Sequence, residues 1–183
     1  PGVVHVEPAR NAAVRIHFNG RDRQIGLRSL EPDGTHSRAV DHHGREILPP
    51  EEGLIISAKL AEVLGARPGD LLVVEALEGR RPVRAVPLVA LAEDFTGIAA
   101  YMDRRAINRF LGEGDVITGA SITLDRAQRA DFLRALKEIP RVSWIAIKET
   151  MRQSFRETTA QSMGLIQTIY LTFAVIVAFG VIY

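Results

Sequence analysis

The chain has 183 residues and no cysteine, which excludes a disulfide framework, a thiolate metal site and a cysteine nucleophile. Its 23 basic and 22 acidic residues leave a formal net charge of +1, giving no electrostatic case for nucleic acid. At 46% hydrophobic residues the chain is too apolar for disorder, and its length suits one sizeable domain plus a membrane segment, or two small domains.

In chain order, Val3–Val6 and Val14–Phe18 are β-rich, and Arg15-Ile16-His17-Phe18 alternates polar and apolar. Asn19-Gly20 follows as a hairpin turn pair, since both residues tolerate positive φ, and Gln24–Leu30 is the returning strand. Residues 31–50 hold Pro32-Asp33-Gly34, Asp41-His42-His43-Gly44 and Pro49-Pro50, the chemistry of a long surface loop. Gly53–Ser57 is a short buried strand. Ser57 then caps a helix over Ala58–Leu64 that Gly65 ends. Pro68-Gly69-Asp70 predicts a tight turn, with proline presetting φ and glycine supplying positive φ. Strands follow over Leu71–Ala76 and Val83–Ala92, joined at Glu78-Gly79. Pro82 and Pro87 each remove a ladder donor, which predicts that the second strand is irregular or at an edge.

Ile98–Met102 is another short strand, after which Asp103 caps a helix to Leu111 that Gly112 closes. Val116–Thr123 is a strand, and Asp125 with Gln128 resembles a capping pair for a helix over 125–139 stopped by Pro140. With a strand at Val142–Lys148, residues 116–148 form a β-α-β unit, which within one sheet implies a right-handed crossover. From Glu149 the pattern becomes helical and polar, a stalk over 149–163 with no proline to break it.

Gly164–Tyr183 contains no charged residue, and as a helix it spans roughly 30 Å, the thickness of a bilayer's hydrocarbon core. It is expected to be a transmembrane helix. Gly164, Gln167, Thr168, Thr172, Ala174 and Ala178 share one arc of roughly 160° at helical spacing, opposite Leu165, Ile169, Phe173 and Val177. Small and hydroxyl side chains allow close approach of another helix, so Gly164, Thr168, Thr172, Ala174 and Ala178 are the expected packing face. Arg152 and Arg156 flank this segment, but Glu149 and Glu157 dilute them, and these charges do not define an orientation. The start at Pro-Gly-Val-Val and the end within an apolar helix suggest a piece of a longer protein.

The residues that offer chemistry have plainer explanations. All five histidines precede residue 44, and Asp41-His42-His43 is the densest cluster, but a metal needs three or four convergent ligands and no metal site is assigned. Glu51-Glu52 and Glu93-Asp94 lack a fixed separation and a nucleophile. Ser57 has no nucleophile elbow around it, and Gly112-Glu113-Gly114 lacks the third glycine and the context of a dinucleotide loop. No catalytic residue and no cofactor are expected.

Gly53–Glu75, GLIISAKLAEVLGARPGDLLVVE, resembles a segment recurrent in FtsX-like permeases of ABC transporters, the family of MacB and the lipoprotein-releasing permeases. The shared pattern S-x-x-L-A-x-x-L-G-x-x-x-G-D falls here on Ser57, Leu60, Ala61, Leu64, Gly65, Gly69 and Asp70, as a structural motif. Tyr101–Gly112 is similar to the second helix of that family's extracytoplasmic domain. A helix followed by Gly-x-x-x-Gly-Asp and a strand also occurs in swapped-hairpin and double-psi β-barrels, which lack a terminal membrane helix.

The resemblance implies an α+β fold with a mixed-sheet extracytoplasmic core over 1–148, containing a smaller strand/helix subdomain at 50–115. The stalk at 149–163 and the truncated transmembrane helix at 164–183 complete that layout. It further implies a non-catalytic permease in the inner membrane whose partners are a cytoplasmic ABC ATPase, other permease helices or a second permease copy, and membrane lipids. Coupling of ATP hydrolysis to export or extraction of a lipid, lipoprotein or peptide is the function implied. A single-span anchored sensor or binding domain, and a membrane-tethered enzyme, are the alternatives.

Overall fold

The computed structural model describes residues 2–94 and 97–139. The strands are β1 (Val3–Ala9), β2 (Ala12–Phe18), β3 (Arg21–Leu30), β4 (Ala39–Val40), β5 (Glu46–Ile47) and β6 (Leu54–Ser57). Helix α1 (Ala58–Leu64) precedes β7 (Leu71–Ala76), β8 (Val83–Ala92) and β9 (Ala100–Asp103). Helix α2 (Arg104–Leu111), β10 (Gly119–Leu124), a 3-10 turn at Arg126–Gln128 and α3 (Arg129–Lys137) complete the order. This is the expected α+β class with mixed pairing. Two compact units divide the chain at residues 129 and 130, and the sheets all belong to the first.

Six strands close a barrel in the order β2-β3-β9-β6-β8-β7. Pairs β3–β9 and β6–β8 are parallel, and β2–β3, β9–β6, β8–β7 and β7–β2 are antiparallel. This order is symmetric: a hairpin (β2–β3 or β7–β8) lies beside a short strand that ends in a helix (β9–α2 or β6–α1), and the two sets meet at β9–β6 and β2–β7. The barrel takes strands from both sides of residue 50. Alternation explains the inward face, with Val14 and Ile16 of β2 and Leu72 and Val74 of β7 fully buried. The unbroken apolar run of β6 arises because it has two buried faces: Ile56 enters the barrel core, and Ile55 joins a second cluster with Leu30, Ala39, Ala92, Ala99 and Tyr101. Each such side chain stabilises the fold by about 1.5–3 kcal/mol relative to exposure.

The expected turns and caps are present. Asn19 and Gly20 both have positive φ, and the flanking Phe18 and Arg21 pair across the hairpin. Ser57 Oγ accepts from the Leu60 amide, and Asp103 accepts from that of Ala106. Asp125 caps the 3-10 turn, which runs on into α3, shorter than the helix expected from 125.

Residues 31–50 hold more structure than the surface loop expected, and strand β8 is irregular as expected but not at an edge, since β6 and β7 flank it. Pro87 pairs in register with Leu71, and β6 pairing begins one residue later, where Leu54 pairs with Leu88 but Ile55 with Ala90, leaving Val89 as the extra residue. Residues 31–50 carry the β4–β5 hairpin, whose Ala39 is buried and whose Ile47 packs on the second cluster. Strand β10 pairs antiparallel with β1, a partner more than a hundred residues away. The expected strand at 142–148, the stalk and the apolar segment 164–183 lie outside the described residues.

Gly53 sits against the bulge with φ +118°, and a Cβ there would lie 2.4 Å from Val89 Cγ2 and 3.2 Å from the Pro87 carbonyl oxygen. Both the backbone region and the contact exclude a side chain. Gly53→Ala is expected to cost about 2–4 kcal/mol in denaturant unfolding. A loss below about 0.5 kcal/mol would show that the bulge does not constrain this position.

Candidate functional site

The motif residues form one helix-turn unit at an end of the barrel. Leu60, Ala61 and Leu64 on one face of α1 enter the barrel core. Ser57 Oγ, about 1% exposed as a residue, accepts from the Leu60 amide at 3.2 Å and the Ala99 amide at 3.0 Å, so the cap also ties α1 to the segment leading into β9. Gly65 closes the helix at φ +74°. Pro68 and Gly69 form the turn, with the Asp70 amide bonded to the Arg67 carbonyl and the Asp70 carboxylate accepting from the Arg67 amide at 2.7 Å. The turn's backbone docks on β8: the Gly69 amide donates to the Leu88 carbonyl and the Leu88 amide to that of Asp70, both at 2.8 Å. The motif thus seats a helix in the barrel end and laces its exit onto the bulged strand. Gly164, Thr168, Thr172, Ala174 and Ala178 lie outside the described residues. Among the described residues no helix is long and apolar enough to cross a membrane.

The other sequence candidates stand apart. His42 and His43 occupy the tip of the β4–β5 hairpin with ring centroids 3.7 Å apart. Asp41 shapes that tip: the Arg45 amide, foremost, with its side chain and the His43 amide, holds the partly buried carboxyl down to about 2. Glu51 and Glu52 precede β6. Asp94 accepts a hydrogen bond from the Tyr101 hydroxyl, and burial together with this bond pushes the tyrosine up to about 12. Glu113 of the Gly112-Glu113-Gly114 segment accepts two bonds from Arg10, at 3.0 and 2.9 Å. Arg10 is about 3% exposed and also bonds Glu78 at 2.6 Å, while its amide donates to Ser29 Oγ. It fastens the end of β1 to the barrel.

The cluster that the sequence did not reveal involves His5, Glu7 and His36. Strand alternation sets His5 and Glu7 on one face of β1, and pairing brings Thr123 of β10 opposite His5. The 31–38 loop folds back so that the Thr35 and His36 amides donate to Glu7 Oε2 at 2.8 and 2.9 Å. His36 Nδ1 lies 3.3 Å from that oxygen, and its Nε2 lies 2.8 Å from Thr123 Oγ1. The His5 and His36 rings stack at 5.5 Å with 4° between planes. The potential signal was the His-x-Glu spacing on a strand, but no local pattern tied it to a loop histidine 29 positions on.

No protein-family model matches the chain, and no curated protein matches it. Solved structures do. The chain is similar to the extracellular domain of the noncanonic ABC-type transporter YknZ from Gram-positive bacteria, at 19% identity and a TM-score of 0.50, covering 71% of this chain and 70% of that one. It is also similar to the periplasmic region of MacB from Actinobacillus actinomycetemcomitans, at 10% identity and a TM-score of 0.51, covering 85% and 77%. At these identities the likeness is one of fold.

Glu7 has a pH signature. Burial raises its pKa, but the amides of His36 and Thr35 and the His36 ring outweigh that, and the net shift is downward from 4.5. A carboxyl lowered in the folded state adds stability above its unfolded pKa and loses it as pH falls through the folded one. Thermal melts between about pH 6 and pH 3 should fall more steeply for the native chain than for Glu7→Gln. Parallel curves would remove Glu7 from the acid response.

Proposed function

We propose that the chain is the extracytoplasmic part of an FtsX-like ABC-transporter permease, together with the membrane helix that follows it. The observation that carries this reading is the fold likeness to two transporter domains, one extracellular and one periplasmic, across 71% and 85% of the chain. The uncharged run Gly164–Tyr183 supports it, because such a domain is expected to continue into the bilayer. In this reading residues 1–148 form the core outside the inner membrane, 149–163 the stalk, and 164–183 a transmembrane helix. Gly164, Thr168, Thr172, Ala174 and Ala178 face companion helices or a second permease copy, and the opposite arc faces lipid.

The role is mechanical. A separate cytoplasmic ATPase binds and hydrolyses ATP, its closure moves the membrane helices, and the stalk carries that motion to the barrel domain. Export or extraction of a lipid, lipoprotein or peptide is the class of work this arrangement performs. The motif residues Ser57, Leu60, Ala61, Leu64, Gly65, Gly69 and Asp70 keep the barrel rigid and perform no chemistry.

Because the chain has no cysteine, Lys59→Cys on the exposed face of α1 provides a unique thiol. A membrane-impermeant maleimide should label it in intact spheroplasts. Labelling only after lysis would place the domain on the cytoplasmic side and end the proposal. For coupling, Gly-Gly-Ser inserted between Thr159 and Ala160 should abolish transport by the assembled transporter while ATP hydrolysis continues. Unchanged transport would argue against the stalk as the transmitting rod.

A further inference from the structure

We propose that His5, Glu7 and His36 bind one divalent transition-metal ion of the zinc class. Their ligand atoms all lie within 4.8 Å of one another. Two imidazoles and a carboxylate form a donor set that suits this borderline ion and leaves a fourth position for water.

The hydrogen bonds around the cluster prepare it. His36 Nδ1 lies 3.3 Å from Glu7 Oε2 and its Nε2 2.8 Å from Thr123 Oγ1, so the tautomer protonated at Nε2 donates to Thr123 and frees the Nδ1 lone pair for a metal. In that tautomer a metal ion takes the place of the proton that otherwise links Nδ1 to the carboxylate. Their 3.3 Å separation equals the distance between two ligands on one tetrahedral ion with bonds of about 2.0–2.1 Å. Support around the ligands is also in place: Thr123 orients the His36 ring, and the Thr35 and His36 amides fix the carboxylate. His5 is exposed, so rotation of its side chain completes the third contact. Glu7 is buried, at 7% exposure, which gives the site a low-dielectric wall. Bound metal clamps the 31–38 loop onto the β1–β10 sheet, joining two segments that otherwise meet through a few hydrogen bonds. It does not depend on the transport reading, because it uses residues of the first compact unit alone.

Cobalt(II) and zinc(II) titrations of the whole chain test this. One saturating equivalent is expected, with the visible absorption of four- or five-coordinate cobalt and displacement by zinc. His5→Ala and His36→Ala should each weaken binding by at least about tenfold, and the double variant His42→Ala/His43→Ala should leave it unchanged. His5 contributes little to packing, so His5→Ala decides the matter even where His36→Ala disturbs the loop. Absence of saturable binding, binding that survives both His5→Ala and His36→Ala, or binding that requires His42 or His43, would each overturn the proposal.

Discussion

Closure of the barrel is the constraint on which the rest depends. Each of its six strands has a hydrogen-bonded neighbour on both sides, which removes edges that would otherwise template pairing with another chain. Closing six strands in this order requires two parallel pairs, and a parallel pair cannot be made by a tight hairpin. The chain meets the requirement by leaving β6 through α1, turning back through β7 and returning as β8 beside its starting strand. Helix α1 is therefore the crossover that makes the β6–β8 pair possible. The capping serine, the closing glycine and the turn lacing onto Leu88 all serve to hold that crossover close.

The same logic explains the weak points in the ladder. Pro87 would leave a carbonyl without its donor inside a ladder, but it lies one residue before the β6 pairing begins, and the extra residue at Val89 then shifts the register. Gly53, immediately before the facing strand β6, is the counterpart, where only a residue without Cβ fits beside the bulge. Arg10 solves a different problem. The β1–β10 sheet is separate from the barrel, and one nearly buried guanidinium carries Glu78 and Glu113 on its far side. Its desolvation is offset because both carboxylates are partly exposed and the remaining donor reaches the Asn11 carbonyl.

What was legible in the sequence was local. Asn19-Gly20, Ser57 to Gly65, Pro68-Gly69-Asp70 and Asp103 to Gly112 each declare themselves within a dozen residues, because turn and cap chemistry depends on near neighbours. The strands were visible as periodic runs, but their partners were not. Nothing near β1 says that it pairs with β10, and the prolines of β8 foretell irregularity but not that the strand lies between two neighbours. The His5–Glu7–His36 grouping was hidden for the same reason: His42 and His43 are adjacent in sequence, while the convergent set spans a strand and a loop that only the tertiary fold brings together.

A closed barrel also suits the mechanical role proposed. An open sheet pushed from one end can shear along its free edge, dissipating displacement as slippage between strands. Here a relative slide of two strands would break pairing on both sides of each and move apolar side chains such as Ile56 and Leu72 out of register with the core. In the mechanism proposed, such a barrel would be carried as one body. Compliance, if motion is to be passed on, belongs to the attachments around it. The described attachments are of two kinds: the apolar packing of Ala39 and Ile47 on the second cluster, and polar ties such as the Arg10 ion pairs, with the Glu7 carboxylate holding the 31–38 loop to β1. In such an arrangement a charge or an ion at Glu7 sets how firmly the loop is held, without altering the barrel itself.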